Sequence, residues 1–336
     1  MQKVKMKEGF YKIRGKDVDM QGMVFPMVSE FKIGASGGYV TVDGTEIAGF
    51  PDRNIKIKCE SPSSYELVDS SVATTAREET DEETIERMRE RFEMLEDMTK
   101  ACKKGDVRAM IVSGPPGVGK SHGVEKVLGK HDLIADIAGT PSRYQVVKGA
   151  MSAIGLYCKL FNYADKDNVL VFDDCDSVFS DELSLNILKA ALDSKKNRTI
   201  HWNTDSFKLR NEGVPDSFTF RGSAIFITNI KFDNVKSAKM RDHLTALESR
   251  CHYIDLTIDT DREKMLRIKQ ITNDGMLDSY KLSEEVVQEI IDFIDVNKTK
   301  LRELSLRTVL KVADLAKAFP TKWEAMAENT VMSRAS

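Results

Sequence analysis

Residues 108–121 read Arg-Ala-Met-Ile-Val-Ser-Gly-Pro-Pro-Gly-Val-Gly-Lys-Ser. An apolar run at 110–112 enters the glycines, and helix-compatible residues follow at 124–128. Glycines so spaced let successive backbone N–H groups turn inward around a phosphate. Gly114, Pro115, Pro116, Gly117, Val118, Gly119, Lys120, Ser121 and His122 form the candidate cradle. Lys120 has the reach and charge for the outer phosphates, and the Ser121 hydroxyl is a hard ligand for Mg²⁺. A helix N-terminus behind the loop adds a favourable dipole.

A second constellation is Asn168-Val-Leu-Val-Phe-Asp173-Asp174-Cys-Asp176. Four consecutive apolar residues predict a strand buried on both faces. Acids at its C-terminal end stand where open α/β sheets bind ligands. Asp173 is suited to hold Mg²⁺, directly or through water. Asp174 is suited to orient and deprotonate a water. Asp176 either joins them or caps the next helix.

With the loop and the acids in this order, residues 80–330 resemble the AAA+ ATPases. That resemblance implies ATP and Mg²⁺ as cofactors and places three further residues. Asn229 ends 224–229, Ala-Ile-Phe-Ile-Thr-Asn, as the family's sensor-1 residue ends its strand, which implies that it helps place the lytic water. Arg250 lies in Leu-Glu-Ser-Arg-Cys, 247–251, similar to the Ser-Arg-Cys motif of clamp loaders. There the arginine enters a neighbouring subunit's ATP site, which implies a homo-oligomer, a ring or an open ring. A guanidinium suits that role because it stabilises spread negative charge. Arg241 and Arg221 are the alternatives. Arg307, in Ser305-Leu-Arg, matches the sensor-2 arginine at the start of a lid helix. Asp174, Asn229, Arg250 and Arg307 are thus the candidate catalytic residues, with Ser121 and Asp173 as metal ligands. One departure is that the family's second acid is usually Glu, whereas here Asp174 is shorter by one methylene. Hydrolysis is then slow, or a water bridges the gap.

These residues must be positioned by an alternating strand–helix core. Strands are expected at 109–112, 144–147, 169–172, 224–228 and 253–256, giving an α/β fold with a mostly parallel sheet. Residues 80–257 form this nucleotide-binding core, and 258–336 show only helical patterns, the expected lid. Ser283 and Ser305 open two of its helices. Residues 1–60 read as a small β-rich domain without a recognisable motif, suited to an adaptor or assembly role. Strands are expected there at 11–14, 28–33 and 55–58, with Asp43-Gly44 turning a hairpin between 38–42 and 45–48. Residues 61–79, rich in Ser, Thr and Glu, read as a flexible linker. Thr80 and Glu83 then make a capping box. Ile85, Met88, Phe92, Leu95 and Cys102 line one face of the helix that follows. It serves either as an oligomerising coiled coil or as a helix docked on the core.

The 336 residues carry net charge −3, 41% hydrophobic and 31% charged side chains. That balance suits a soluble globular protein of two or three domains and gives no global field for nucleic acid or membrane. No apolar run has membrane-spanning length. Five dispersed cysteines suit reduced thiols in a cytoplasmic setting, and apart from the adjacent Cys251-His252 no cluster has zinc-ligand spacing. The compact chain points to a phage or prokaryotic source, hence to host cytoplasm if phage-encoded. Partners must use local features. Residues 148–152 occupy a pore-loop position but lack its usual aromatic. Residues 195–221 hold Lys195, Lys196, Arg198, His201, Trp202, Lys208, Arg210 and Arg221 against Asp205, Glu212 and Asp216. Segments 198–203 and 217–221 can pair as a hairpin. Either this insertion contacts nucleic acid through phosphates and stacked bases, or it is a solvated insertion with Trp202 packed on the core. The expected function is ATP-driven remodelling or loading of a macromolecule in nucleic-acid metabolism. The alternatives are a protein-remodelling ATPase whose N-terminal domain recruits clients, and a slow nucleotide switch.

Overall fold

The computed structural model describes residues 2–13, 16–45, 47, 50, 53–74, 79–139, 141–195, 197–204, 206–230 and 238–333. Lys196 and Asp205 of the basic insertion, Arg14 at the end of one expected strand, and Glu46 and Ala48 of another lie outside them. The chain divides into two compact units, Met1–Glu83 and Thr84–Ser336.

The first unit is an antiparallel sheet. Its strands are β1 (Lys3–Met6), β2 (Phe10–Ile13), β3 (Lys16–Asp19), β4 (Val24–Gly34), β5 (Gly37–Asp43), β6 (Asn54–Lys58) and β7 (Tyr65–Val68). Their spatial order is β3-β2-β6-β5-β4-β1-β7. Alternate residues such as Val4, Met6, Val40, Val42, Ile55 and Ile57 are buried together, the period-two signature of a sheet with one covered face. Two expectations are corrected here. The hairpin turns at Ala35-Ser36, where Gly34 pairs Gly37. Asp43 instead pairs Asn54. Ile47 is buried in the core and its N–H donates to Gly44 O, so the connection is pinned inward rather than extended as a strand. The sheet also takes in β7, inside the segment read as linker, because Tyr65–Val68 pair along β1.

Helix α1 (Asp81–Lys103), most of which belongs to the second unit, is capped as expected: Glu83 N–H donates to Thr80 Oγ1, and Thr80 N–H to Glu83 Oε2. There follow β8 (Ala109–Ser113), α2 (Lys120–Ala138), β9 (Tyr144–Lys148), α3 (Ala153–Asn162), β10 (Val169–Asp173), α4 (Ser177–Ser180) and α5 (Glu182–Ala191). Next come β11 (Thr199–His201), α6 (Phe207–Asn211), β12 (Ser217–Thr219), β13 (Ser223–Thr228), α7 (Ala238–Glu248) and β14 (His252–Asp255). The sheet is parallel, ordered β14-β8-β13-β10-β9, so the expected α/β class and its five strands are observed. Side chains alternate between two cores. Ile111, Leu170, Phe172, Ala224 and Phe226 meet α3, α5 and α7. Met110, Val112, Val171, Ile225 and Ile254 meet Leu95 and Cys102 of α1 and Val124 and Leu128 of α2. Burial on both faces explains why the three central strands β8, β13 and β10 read as apolar runs. It also settles α1 as a helix docked on the core.

The C-terminal region is helical: α8 (Asp261–Ile271), α9 (Glu284–Asn297), α10 (Leu306–Ala318) and α11 (Trp323–Val331). It has its own apolar cluster, including Ile290, Ile294, Val309, Val312 and Trp323. The Ser283 side chain caps α9 by accepting from Val286 N–H. Among the described residues no helix is long and apolar enough to cross a membrane.

Candidate functional site

Strand order builds the site. β13 lies between β8 and β10, and neighbouring strands are about 4.8 Å apart. The segments leaving their C-terminal ends are therefore adjacent. They are the glycine loop after β8, Asn229 after β13 and Asp174 after β10. Asn229 stands between the other two. Its Oδ1 accepts from Lys120 Nζ at 2.7 Å, and its Nδ2 donates to Asp174 Oδ1 at 2.9 Å. Lys120 also donates to Gly114 O at 2.6 Å and Pro115 O at 2.8 Å. Beside this line, Ser121 Oγ donates to Asp173 Oδ1 at 2.9 Å.

Lys120 is 6% exposed. Burial pulls its pKa down to about 8; Asp174 opposes the fall and the positive charge of Arg307 adds to it. Arg307 is exposed in the first turn of α10. The helix is tied to the loop directly, since Leu306 N–H donates to Gly117 O at 3.0 Å. Gly117 has φ +71°, and a Cβ on it would lie 2.7 Å from Ser305 Cβ, so only glycine fits. Val118 is buried with Met88, Ile258 and Leu266, while His122 is exposed on the first turn of α2.

Asp174 is exposed with φ +52°, a left-handed conformation that Asp tolerates better than most residues. Asp176 occupies the N-cap position of α4 without making a side-chain cap bond. Its carboxylate instead accepts from Thr228 Oγ1 at 2.6 Å, tying the ends of β10 and β13. Burial raises its pKa.

The donor set fits the cofactors expected. Glycines 117 and 119 leave a cradle with positive φ, at +71° and +101°. Glu303 Oε1 and Ser305 Oγ, both against Gly117, are buried polar atoms without a hydrogen-bond partner among the described residues. Ser121 Oγ and Asp173 supply the hard oxygens that Mg²⁺ prefers. Sequence reasoning missed Arg267. Its guanidinium lies 3.6 Å over the Phe92 ring and donates to Gln270 Oε1, buried beside Gly119. Burial lowers its pKa to about 10. An arginine within a charged helical repeat carries no signal of this.

Arg250 is elsewhere. It follows α7 at the N-terminal end of the sheet, where His252 pairs Met110, whereas the loop leaves the other end of β8. Arg250 lines a polar cavity of about 370 Å³ with Asp106, Arg108, Ser194 and His252, and donates to Ala246 O. It is not part of its own chain's loop site. Arg221 is exposed after β12, and Arg241 is exposed on α7.

The basic insertion forms the expected hairpin, Thr199 pairing Thr219 and His201 pairing Ser217. Arg198 departs from its expected surface role, whereas Trp202 takes the packed alternative. Arg198 is buried, donating to Ala191 O and Gly222 O, and Trp202 is buried against Tyr157. Phe207 is 72% exposed on α6, next to exposed Lys208 and Arg210.

No protein-family model matches the chain. It is 36% identical over 252 residues to the uncharacterized 36.7 kDa protein of the nrdC–mobD intergenic region of Enterobacteria phage T4, covering 74% of this chain and 76% of that one. Among solved structures it is similar to the replication initiator DnaA bound to AMPPCP and single-stranded DNA (14% identity, TM-score 0.41, 70% of this chain and 63% of that chain). It is also similar to Aeropyrum pernix ORC1 in complex with DNA (11% identity, TM-score 0.40, 72% and 64%). A third is domain III of Thermotoga maritima DnaA (10% identity, TM-score 0.42, 72% and 91%). The chain thus spans less than two thirds of the first two. The identity and coverage place the chain in the family of the phage T4 protein, here with an α/β fold that joins a parallel sheet, a glycine loop and a helical C-terminal region.

Proposed function

We propose that the chain is an ATPase that binds ATP·Mg²⁺ at 114–122 and uses hydrolysis to remodel or load a macromolecular partner in nucleic-acid metabolism. The observation that carries this reading is the hydrogen-bonded line Lys120–Asn229–Asp174 beside the Ser121–Asp173 pair. Bound ATP·Mg²⁺ would supply the transferable phosphoryl group and a divalent charge to stabilise it. Lys120 neutralises phosphate charge. Ser121 and Asp173 hold the metal. Asn229 keeps Asp174 turned toward the ammonium, and Asp174 takes the proton from an attacking water. Arg307 adds positive charge from α10, and Arg250 acts on the loop site of a second copy.

Binding of a fluorescent ATP analogue tests this. Lys120→Ala should weaken binding at least about 100-fold, because one buried charge-assisted contact is worth about 3 kcal/mol. Asp174→Asn should bind normally and fail to turn over. Unchanged binding by Lys120→Ala would remove the assignment.

For the partner, exposed Phe207 with Lys208 and Arg210 supports contact with a single strand: phosphates on the cations, a base on the ring. The double variant Lys208→Ala, Arg210→Ala should then weaken single-stranded DNA binding and flatten its salt dependence by about two charges. A second reading is a slow nucleotide switch, favoured by Asp174 being both short and already engaged by Asn229. A client-recruiting role for the N-terminal unit draws support from the exposure of Phe10, Ile33 and Leu67.

A further inference from the structure

We propose that Lys148 is a positioning residue of the metal site: it competes with Mg²⁺ for Asp173 and so couples metal binding to the loop at 149–152. This rests on the nucleotide-site reading above. Asp173 is a buried carboxylate with two engaged oxygens. Oδ1 accepts the Ser121 hydroxyl at 2.9 Å, and Oδ2 lies 3.3 Å from Lys148 Nζ. The same ammonium lies 3.0 Å from Glu125 Oε1. Glu125 is four residues after Ser121 on α2, hence on the same helix face.

A divalent cation at Oδ1 would sit on the same carboxylate whose Oδ2 holds the ammonium, so the two positive charges would repel across it. With a metal held by Ser121 and Asp173, Oδ2 would hold Lys148 less strongly, and Glu125 is the carboxylate placed to keep it. The main chain is built to follow. Lys148 ends β9, and Gly149 comes next with φ +91° and open space where a Cβ would be. Beyond it, Met151 N–H donates to Ser177 Oγ, and Ser152 caps α3 by accepting from Gly155 N–H. The loop is thus anchored at its far end and hinged next to Lys148. Residues 148–152 occupy the segment where the sequence placed a pore loop.

The test uses full-length protein with Mn²⁺ as the probe, free metal being followed by electron paramagnetic resonance. Titrations are run with and without a non-hydrolysable ATP analogue. Lys148→Met keeps the aliphatic stem and removes the charge. It should bind Mn²⁺ up to roughly fivefold tighter, the upper end for one exposed ion pair. Lys148→Arg should stay near wild type. Glu125→Gln should shift affinity the opposite way, because Lys148 then rests on Asp173 alone. Amide exchange at 149–151 should respond to Mn²⁺ in wild type and not in Lys148→Met. Equal or weaker Mn²⁺ binding by folded Lys148→Met, or exchange that responds alike in both proteins, would overturn the proposal. If the analogue binds neither protein, the nucleotide reading fails, while the titrations without analogue still decide the role of Lys148.

Discussion

At the residue scale the site depends on a buried cation. Among the described residues Lys120 has no ion-paired acid within hydrogen-bond distance; two carbonyls and Asn229 Oδ1 hold it. Burial brings its pKa to about 8. Below that pH it is charged and ready for phosphate; above it, a proton must be taken up when phosphate binds. Nucleotide affinity should therefore fall as pH rises through 8, approaching about tenfold per pH unit. A fluorescent-analogue titration from pH 7 to 9.5 checks this, and a flat profile would show that Lys120 is already protonated throughout. The residue types of the site were legible in the sequence because a glycine loop and paired acids demand fixed spacing. Their partners were not. Lys120 and Asn229 are 109 residues apart, and only the sheet order makes them neighbours. Arg198 shows the converse: composition counted it with a basic surface, and burial removes it; the burial of Trp202 follows the packed alternative that the sequence left open.

At the element scale, the central strands β8, β13 and β10 were readable because burial on both faces leaves each an apolar run with its register set by its neighbours. The N-terminal sheet was less so. Asp43-Gly44 has good hairpin chemistry, but the burial of Ile47 outweighs it, and β7 is too short and polar to announce itself. The docked role of α1 also follows from packing. Leu95 is fully buried between α1, Val124 and Leu128. Leu95→Ala should cost about 2–5 kcal/mol in denaturant unfolding. A cost below about 1 kcal/mol would mean that α1 is not held as described.

At the scale of the whole molecule, the position of Arg250 is the telling one. It lies at the sheet end opposite its own glycine loop, so a role in hydrolysis requires a second copy. The central claim is a loop site built on Lys120 and finished by another chain's Arg250. Its most direct test is steady-state ATP turnover over a range of protein concentrations, for wild type, Lys120→Ala, Arg250→Ala and an equal mixture of the two variants. The account predicts wild-type turnover per chain that rises with concentration, little from either variant alone, and partial recovery in the mixture. Full turnover by Lys120→Ala alone would contradict it.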